Sequence, residues 1–130
     1  MLVNNLANAN VSKDNPLKIG GFLIFLTSGT FCIGRILAMY QKTGGRHGYV
    51  ESDVHVIDFL SYISVEVFVN VYNNLFSNVC KAGGILFAHI IPKHVIYYVG
   101  FDNDIVHLNN STLELKQQLF TSFTFFPKNS

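Results

Sequence analysis

The sequence predicts a mainly β chain: a small twisted barrel or sandwich of six to seven short strands, with one short C-terminal helix. Three observations carry this. The segment Tyr62 to Tyr72, YISVEVFVNVY, alternates with period two: Ile63, Val65, Val67, Val69 and Val71 fall on one side, and Tyr62, Ser64, Glu66, Phe68, Asn70 and Tyr72 on the other. Other apolar runs of strand length recur along the chain, each bounded by Gly, Asn, Asp, Ser or Pro. Finally, 49% of residues are apolar and only 13% charged. In so apolar a chain, closing a barrel would remove strand edges that otherwise promote aggregation.

A length of 130 residues corresponds to one domain able to bury a core without metal or disulfide staples. Residues 1–15 are rich in Asn and read as a flexible lead, and Asn15-Pro16 marks the start of a single β-rich domain over 16–130. Gly21 to Leu26 and Thr30 to Tyr40 read as two strands, and the short Ser28-Gly29 link makes them an antiparallel hairpin. The Gly-rich basic loop Gln41 to Gly48 follows. Val54 and Val56 alternate with His55, which predicts a half-buried strand within Tyr49 to Phe59, and Asp58 to Ser61 reads as a bend. After the central strand, Asn73 to Gly84 reads as a loop with a helical turn around Leu75 to Cys80. Ile85 to Ile91 is a strand ended by Pro92, which cannot donate to a ladder. His94 to Val99 and Ile105 to Leu108 are further strands, with a turn over Gly100 to Asp104. The helix is assigned to Thr112 to Gln118, with Leu113, Leu115 and Leu119 as its apolar positions.

Charge and cysteine content narrow the function classes. A formal charge of +1 is low for a domain that holds nucleic acid by itself, because such domains cluster Lys and Arg on one face. No apolar run is long enough for a membrane helix, and the first residues lack the basic and apolar regions of a secretory signal, so an intracellular setting is expected. Cys32 and Cys80 are too few for a disulfide framework and read as buried free thiols.

The five histidines, His47, His55, His89, His94 and His107, show no ligand spacing, so no metal site is assigned. The sequence also carries no cofactor motif: the loop KTGGRHG lacks the Gly-Lys-Ser/Thr step of a phosphate-binding loop. His55 with Asp53 and Asp58 is the one cluster resembling acid/base machinery, and it sustains the alternative of a small enzyme using Asp53 and His55. Arg35 interrupts an apolar strand; if it points inward it needs a carboxylate, and Glu66 is the candidate. Lys42, Arg46 and His47 concentrate positive charge in the glycine-rich loop, and Tyr40 and Tyr49 bound it. These five are the candidate binding residues, for an acidic protein or, in a second alternative, a phosphate backbone.

The succession GFLIFL, FCIGRILAMY, a variable loop and ISVEVFV, spanning Leu17 to Val69, resembles BAH-type chromatin modules, which open on a hydrophobic strand and follow it with an I-G-R-I strand. The run from GRILAMYQKTGGRHGYV to FAHIIPKHV also resembles uncharacterised fungal proteins linked to mobile elements. The BAH resemblance implies a β-barrel interaction module rather than an enzyme, in a nuclear or chromatin setting. Members that read methyl-lysine use an aromatic cage; Tyr40, Tyr49, Tyr62 and Phe68 could supply one, though no motif assigns them that role. The reading is a non-enzymatic module with a protein partner. So apolar a chain is also expected to self-associate as a homo-oligomer, through strand edges and aromatics such as Phe123, Phe125 and Phe126.

Overall fold

The computed structural model describes residues 9–43, 45–78 and 84–123. Their strands are β1 (Phe22–Thr27), β2 (Thr30–Thr43), β3 (Arg46–Tyr49), β4 (Tyr62–Tyr72), β5 (Leu75–Ser77), β6 (Leu86–Ile90), β7 (Val95–Gly100), β8 (Ile105–His107) and β9 (Thr112–Leu115), followed by one helix, α1 (Gln117–Phe123). All nine strands join one antiparallel sheet. Its main path runs β7-β1-β2-β4-β5-β9-β8 and curls into a half-barrel, while β3 pairs with β2 and β6 with β4. The chain is mainly β, as its alternation predicts.

The β1–β2 hairpin follows from two residues. Ser28 (φ 51°) and Gly29 (φ 80°) both take the left-handed region. That is the signature of a type I′ turn, whose twist matches the flanking strands. The long strand β4 pairs with β2 on one edge. On its other edge it meets two short strands in turn, β6 against Ile63 to Val67 and β5 against Val69 to Tyr72.

The middle of the sheet is covered on both faces. On one, Leu23, Phe25, Cys32, Ile36, Val65 and Val67 pack under residues 9–17 and the segment holding Val54, Ile57 and Leu60. On the other, Phe22, Ile24, Ile33 and Phe68 pack under Ile105, Leu113, Leu115 and Phe123 of β8, β9 and α1. Cys32 is buried, and burial pushes its thiol pKa up, the setting of an inert cysteine. Tyr98 anchors the first layer. Its hydroxyl accepts the Lys18 N–H at 3.1 Å, its own N–H donates to the Ala9 carbonyl, and burial raises its phenol pKa. Gly21 is required here, since a Cβ at that position would run into the Tyr98 hydroxyl.

Several expected elements differ. Thr112 to Gln118 is not a helix: Leu113 and Leu115 are buried while Thr112 and Glu114 are not, so period two wins and β9 pairs with both β5 and β8. The helix starts only at Gln117, and Leu119, Phe120 and Phe123 form its apolar stripe. Phe123 is therefore a core residue, 1% exposed and in ring contact with Phe31 and Tyr97, and not an association surface; Phe125 and Phe126 lie outside the described residues. The helical turn around Leu75 to Cys80 is instead β5, with Cys80 outside the described residues. The strand expected within Tyr49 to Phe59 reduces beyond β3 to a single bridge from Val54 to Leu17 and a 3-10 turn at Ile57–Phe59. The lead is not loose throughout: Ala9 and Val11 are buried, and the Asn15 side chain donates to the Asn10 carbonyl.

Candidate interaction surface

The loop Gln41 to Gly48 is a β-hairpin rather than an irregular loop. Tyr40 pairs with Tyr49, Gln41 with Gly48, Lys42 with His47 and Thr43 with Arg46. Gly45 (φ 86°) supplies the left-handed backbone of the turn. Lys42 and Arg46 are exposed. Lys42 follows Tyr40 on one face of the hairpin, whereas Arg46, opposite Thr43, belongs to the other.

A bulge decides which face Tyr40 occupies. The β2–β4 register runs Arg35 to Glu66 and Ile36 to Val65, then resumes at Ala38 to Ser64, leaving Leu37 extra. One extra residue reverses the alternation. Met39 is thereby sent into the core against Ile63, and Tyr40 goes to the opposite face against Tyr62.

The result is a row of rings across β3, β2, β4 and β6. Tyr49 meets Tyr40 edge-on at 5.8 Å between centroids, Tyr40 stacks on Tyr62 at 4.6 Å and 22°, and Tyr62 meets His89 edge-on at 5.0 Å. Such pairs add about 0.5–1.5 kcal/mol each beyond burial. His89 is fixed from below, its Nδ1 sharing a hydrogen bond of 2.7 Å with Ser64 Oγ. Phe87, opposite Glu66, continues the face and is 64% exposed, and Tyr49 is 56% exposed.

Arg35 and Glu66 border this row. They are cross-strand partners, and both Nε (2.9 Å) and Nη2 (2.6 Å) of Arg35 donate to Glu66 Oε1. The buried Asn78 amide donates to Glu66 Oε2 at 2.6 Å. A carboxylate that is nearly buried is thus satisfied on both oxygens, and the arginine reaches solvent with part of its guanidinium.

The candidate residues are therefore split. Tyr40, Tyr49 and Lys42 share one surface; Arg46 stands at the hairpin's other face, and of His47 only the backbone pairing is described. Tyr62 joins the row, but Phe68 does not, being buried against Phe22. Asp53 lies 3.6 Å from Lys18, and with the exposed His55 it lines a shallow groove of about 230 Å³ also bounded by Val56 and Phe59. Among the described residues no group of three His, Cys, Asp or Glu side chains could hold a metal, and no helix is long and apolar enough to cross a membrane. Sequence reasoning missed His89 and Phe87, whose period-two spacing with Ile91 in FAHII was the available signal. Compared with family models, curated proteins and solved structures, the chain matches none.

Proposed function

We propose that this chain is a non-enzymatic interaction domain that binds a polypeptide through the tyrosine face of β2, β3, β4 and β6. The observation that carries the reading is the row Tyr49–Tyr40–Tyr62–His89, built on rigid strands and left partly exposed among the described residues. Tyrosine gives large contact area at low entropic cost, and it is enriched in protein interfaces for that reason. Tyr40 and Tyr62 occupy one face of each other's rings. That arrangement presents edges and hydroxyls more than open ring faces, which favours a polypeptide over stacked bases. Lys42 on the same face, and Arg46 at the hairpin tip, suit an acidic segment and would speed its encounter. The nuclear or chromatin setting belongs to the proposal on the strength of the BAH-like resemblance of Leu17 to Val69 alone.

The test is a quantitative pull-down with the wild-type chain and the double variant Tyr40→Ala, Tyr49→Ala, followed by titration of the purified partner. Partners retained by the wild type and lost from the folded variant support the proposal. Partner affinity that is the same for both chains overturns it. A labelled single-stranded oligonucleotide bound more tightly than any protein, with a steep salt dependence, would favour the nucleic-acid reading instead.

A further inference from the structure

We propose that Arg35 anchors a carboxylate subsite on the tyrosine face, where it takes an Asp or Glu side chain of the bound polypeptide; the assignment rests on the polypeptide-binding reading and names the chemistry of one residue in that partner. Glu66 Oε1 accepts from Nε and from one N–H of Nη2, which form the side-on edge of the guanidinium. The end-on fork, the second Nη2 N–H together with Nη1, then points away from Glu66, and among the described residues nothing accepts from it. Solvent meets the pair from the arginine side: the Arg35 side chain is 40% exposed and that of Glu66 only 9%. A planar fork of two parallel N–H groups matches the two oxygens of a carboxylate. Glu66, itself held by Asn78, fixes the guanidinium before any ligand arrives, so little side-chain freedom is lost on binding.

The neighbours of Arg35 set where the rest of the partner lies. Phe22, opposite Arg35 on β1, is in contact with the His107 ring of β8, so the cover over this face of the sheet ends beside Arg35. In the other direction the next rung is Ala38 opposite Ser64, with Ala38 sunk at 9% exposed, and beyond it stand Tyr40 and Tyr62. From Glu66 to Tyr62 along β4 is about 13 Å, which an extended segment covers in about four residues. Of the described residues that this face takes from β2, β4 and β6, Arg35, Lys42 and His89 are basic and Glu66 alone is acidic, with both its oxygens occupied. That balance suits a single negative charge. A phosphate would set a second charge beside Glu66, and it is ordinarily met by a cluster of arginines rather than one.

A display library of random short peptides, selected on the full chain, is the probe. The expected peptides lose binding to the Tyr40→Ala, Tyr49→Ala variant and carry an Asp or Glu at a fixed position. Replacing that residue by its amide should weaken binding to the wild-type chain about tenfold, the loss of a charge-assisted pair. The same replacement should cost clearly less against Arg35→Lys, which keeps a positive charge beside Glu66 but lacks the fork. Such a cycle cancels any general disturbance caused by the change at Arg35. Where Arg35→Lys alone fails to fold, Arg35→Lys with Glu66→Gln removes the buried charge and keeps an acceptor for Asn78. Peptides that need Tyr40 and Tyr49 but carry no acidic residue overturn the subsite and leave the tyrosine-face reading standing. So does an amide replacement that costs as much against Arg35→Lys as against the wild type, or a phosphoserine that binds more tightly than Asp or Glu at the same position. A library without any peptide dependent on Tyr40 and Tyr49 overturns both.

Discussion

Phe68 and Tyr62 stand on the same face of β4, six residues apart, and end in different surroundings. Phe68 is sealed in a core with Phe22, Ile33 and Phe76, while Tyr62 rests half-exposed between Tyr40 and His89. The strand does not distinguish them, because the alternation that turns one toward this face turns the other there too. What differs is the cover. β4 spans roughly 36 Å at about 3.3 Å per residue. The seven-residue α1 spans only about 10 Å. Together with the short strands β8 and β9 it roofs the half of the face that holds Phe68, leaving Tyr62 to pack sideways on its neighbours. Sheet alternation chooses a face; a later segment of chain decides whether that face becomes core or surface.

The largest expected effect comes from inserting one Ala between Met39 and Tyr40. The added residue takes the place opposite Tyr62, and Tyr40 and Lys42 turn to the face now filled by Met39, so the ring row is lost and a charge is turned toward the core, with a large fall in the denaturation midpoint. Deleting Leu37, the extra residue, should be far milder, since it leaves Ala38 opposite Ser64 and Tyr40 opposite Tyr62. An insertion that leaves the midpoint unchanged would mean that the register does not set the face. Next, Phe68→Ala should cost about 3–5 kcal/mol, as for a large core ring, whereas Tyr62→Ala should cost about 1–2 kcal/mol, the loss of its ring pairs. Denaturant titrations of the two variants compare covered and open halves directly, and equal losses would erase the distinction. At the border, Glu66→Ala should cost about 1–3 kcal/mol, because it leaves the buried Asn78 amide without its acceptor. Arg35→Ala should cost at least as much, since it strips both donors from Oε1 of the nearly buried Glu66 and leaves that charge unpaired, whereas Arg35 is partly solvated; a clearly smaller loss in thermal melts would contradict this picture of the network. Smallest of all, Lys42→Ala with Arg46→Ala should leave the melting temperature nearly unchanged while slowing association with an acidic partner and flattening its salt dependence. Stopped-flow association rates at two salt concentrations check it.

The fold class was legible because the chain repeats one physical signal. Period-two alternation in β4, the Ser28-Gly29 turn and Pro92 after β6 each carry a local cause that no tertiary contact overrides. The Arg35–Glu66 pair was legible too, since a charge set in an apolar strand requires a partner. The misreadings fell where local pattern is ambiguous. Leu113, Leu115 and Leu119 fit both a strand running into a helix and a helix throughout, and only the pairing of β9 with β5 and β8 separates the two. Of the candidate surface, Tyr40, Tyr49 and Lys42 were found because they cluster in sequence at the hairpin. The row itself was not, because Tyr62 and His89 arrive from distant strands and because the four apolar residues Ile36 to Met39 hide the bulge that brings Tyr40 beside them.

The division of β4's outer edge between β5 and β6 has a consequence for how the molecule opens. β5 is held on both sides, by β4 and by β9, and its carbonyls and amides can be freed only by dismantling the sheet around it. β6 pairs among the described residues with β4 alone, its tie toward β5 being the Leu86 N–H on the Asn78 carbonyl at 3.3 Å, and its junction to the 3-10 turn at Pro92–His94 lets it part from β4 with little disturbance of β5. Two segments that continue one another along a single edge are therefore separate units of local unfolding, with β5 opening near the global free energy and β6 well below it. His89, the outermost ring of the row, rides on the unit that opens first.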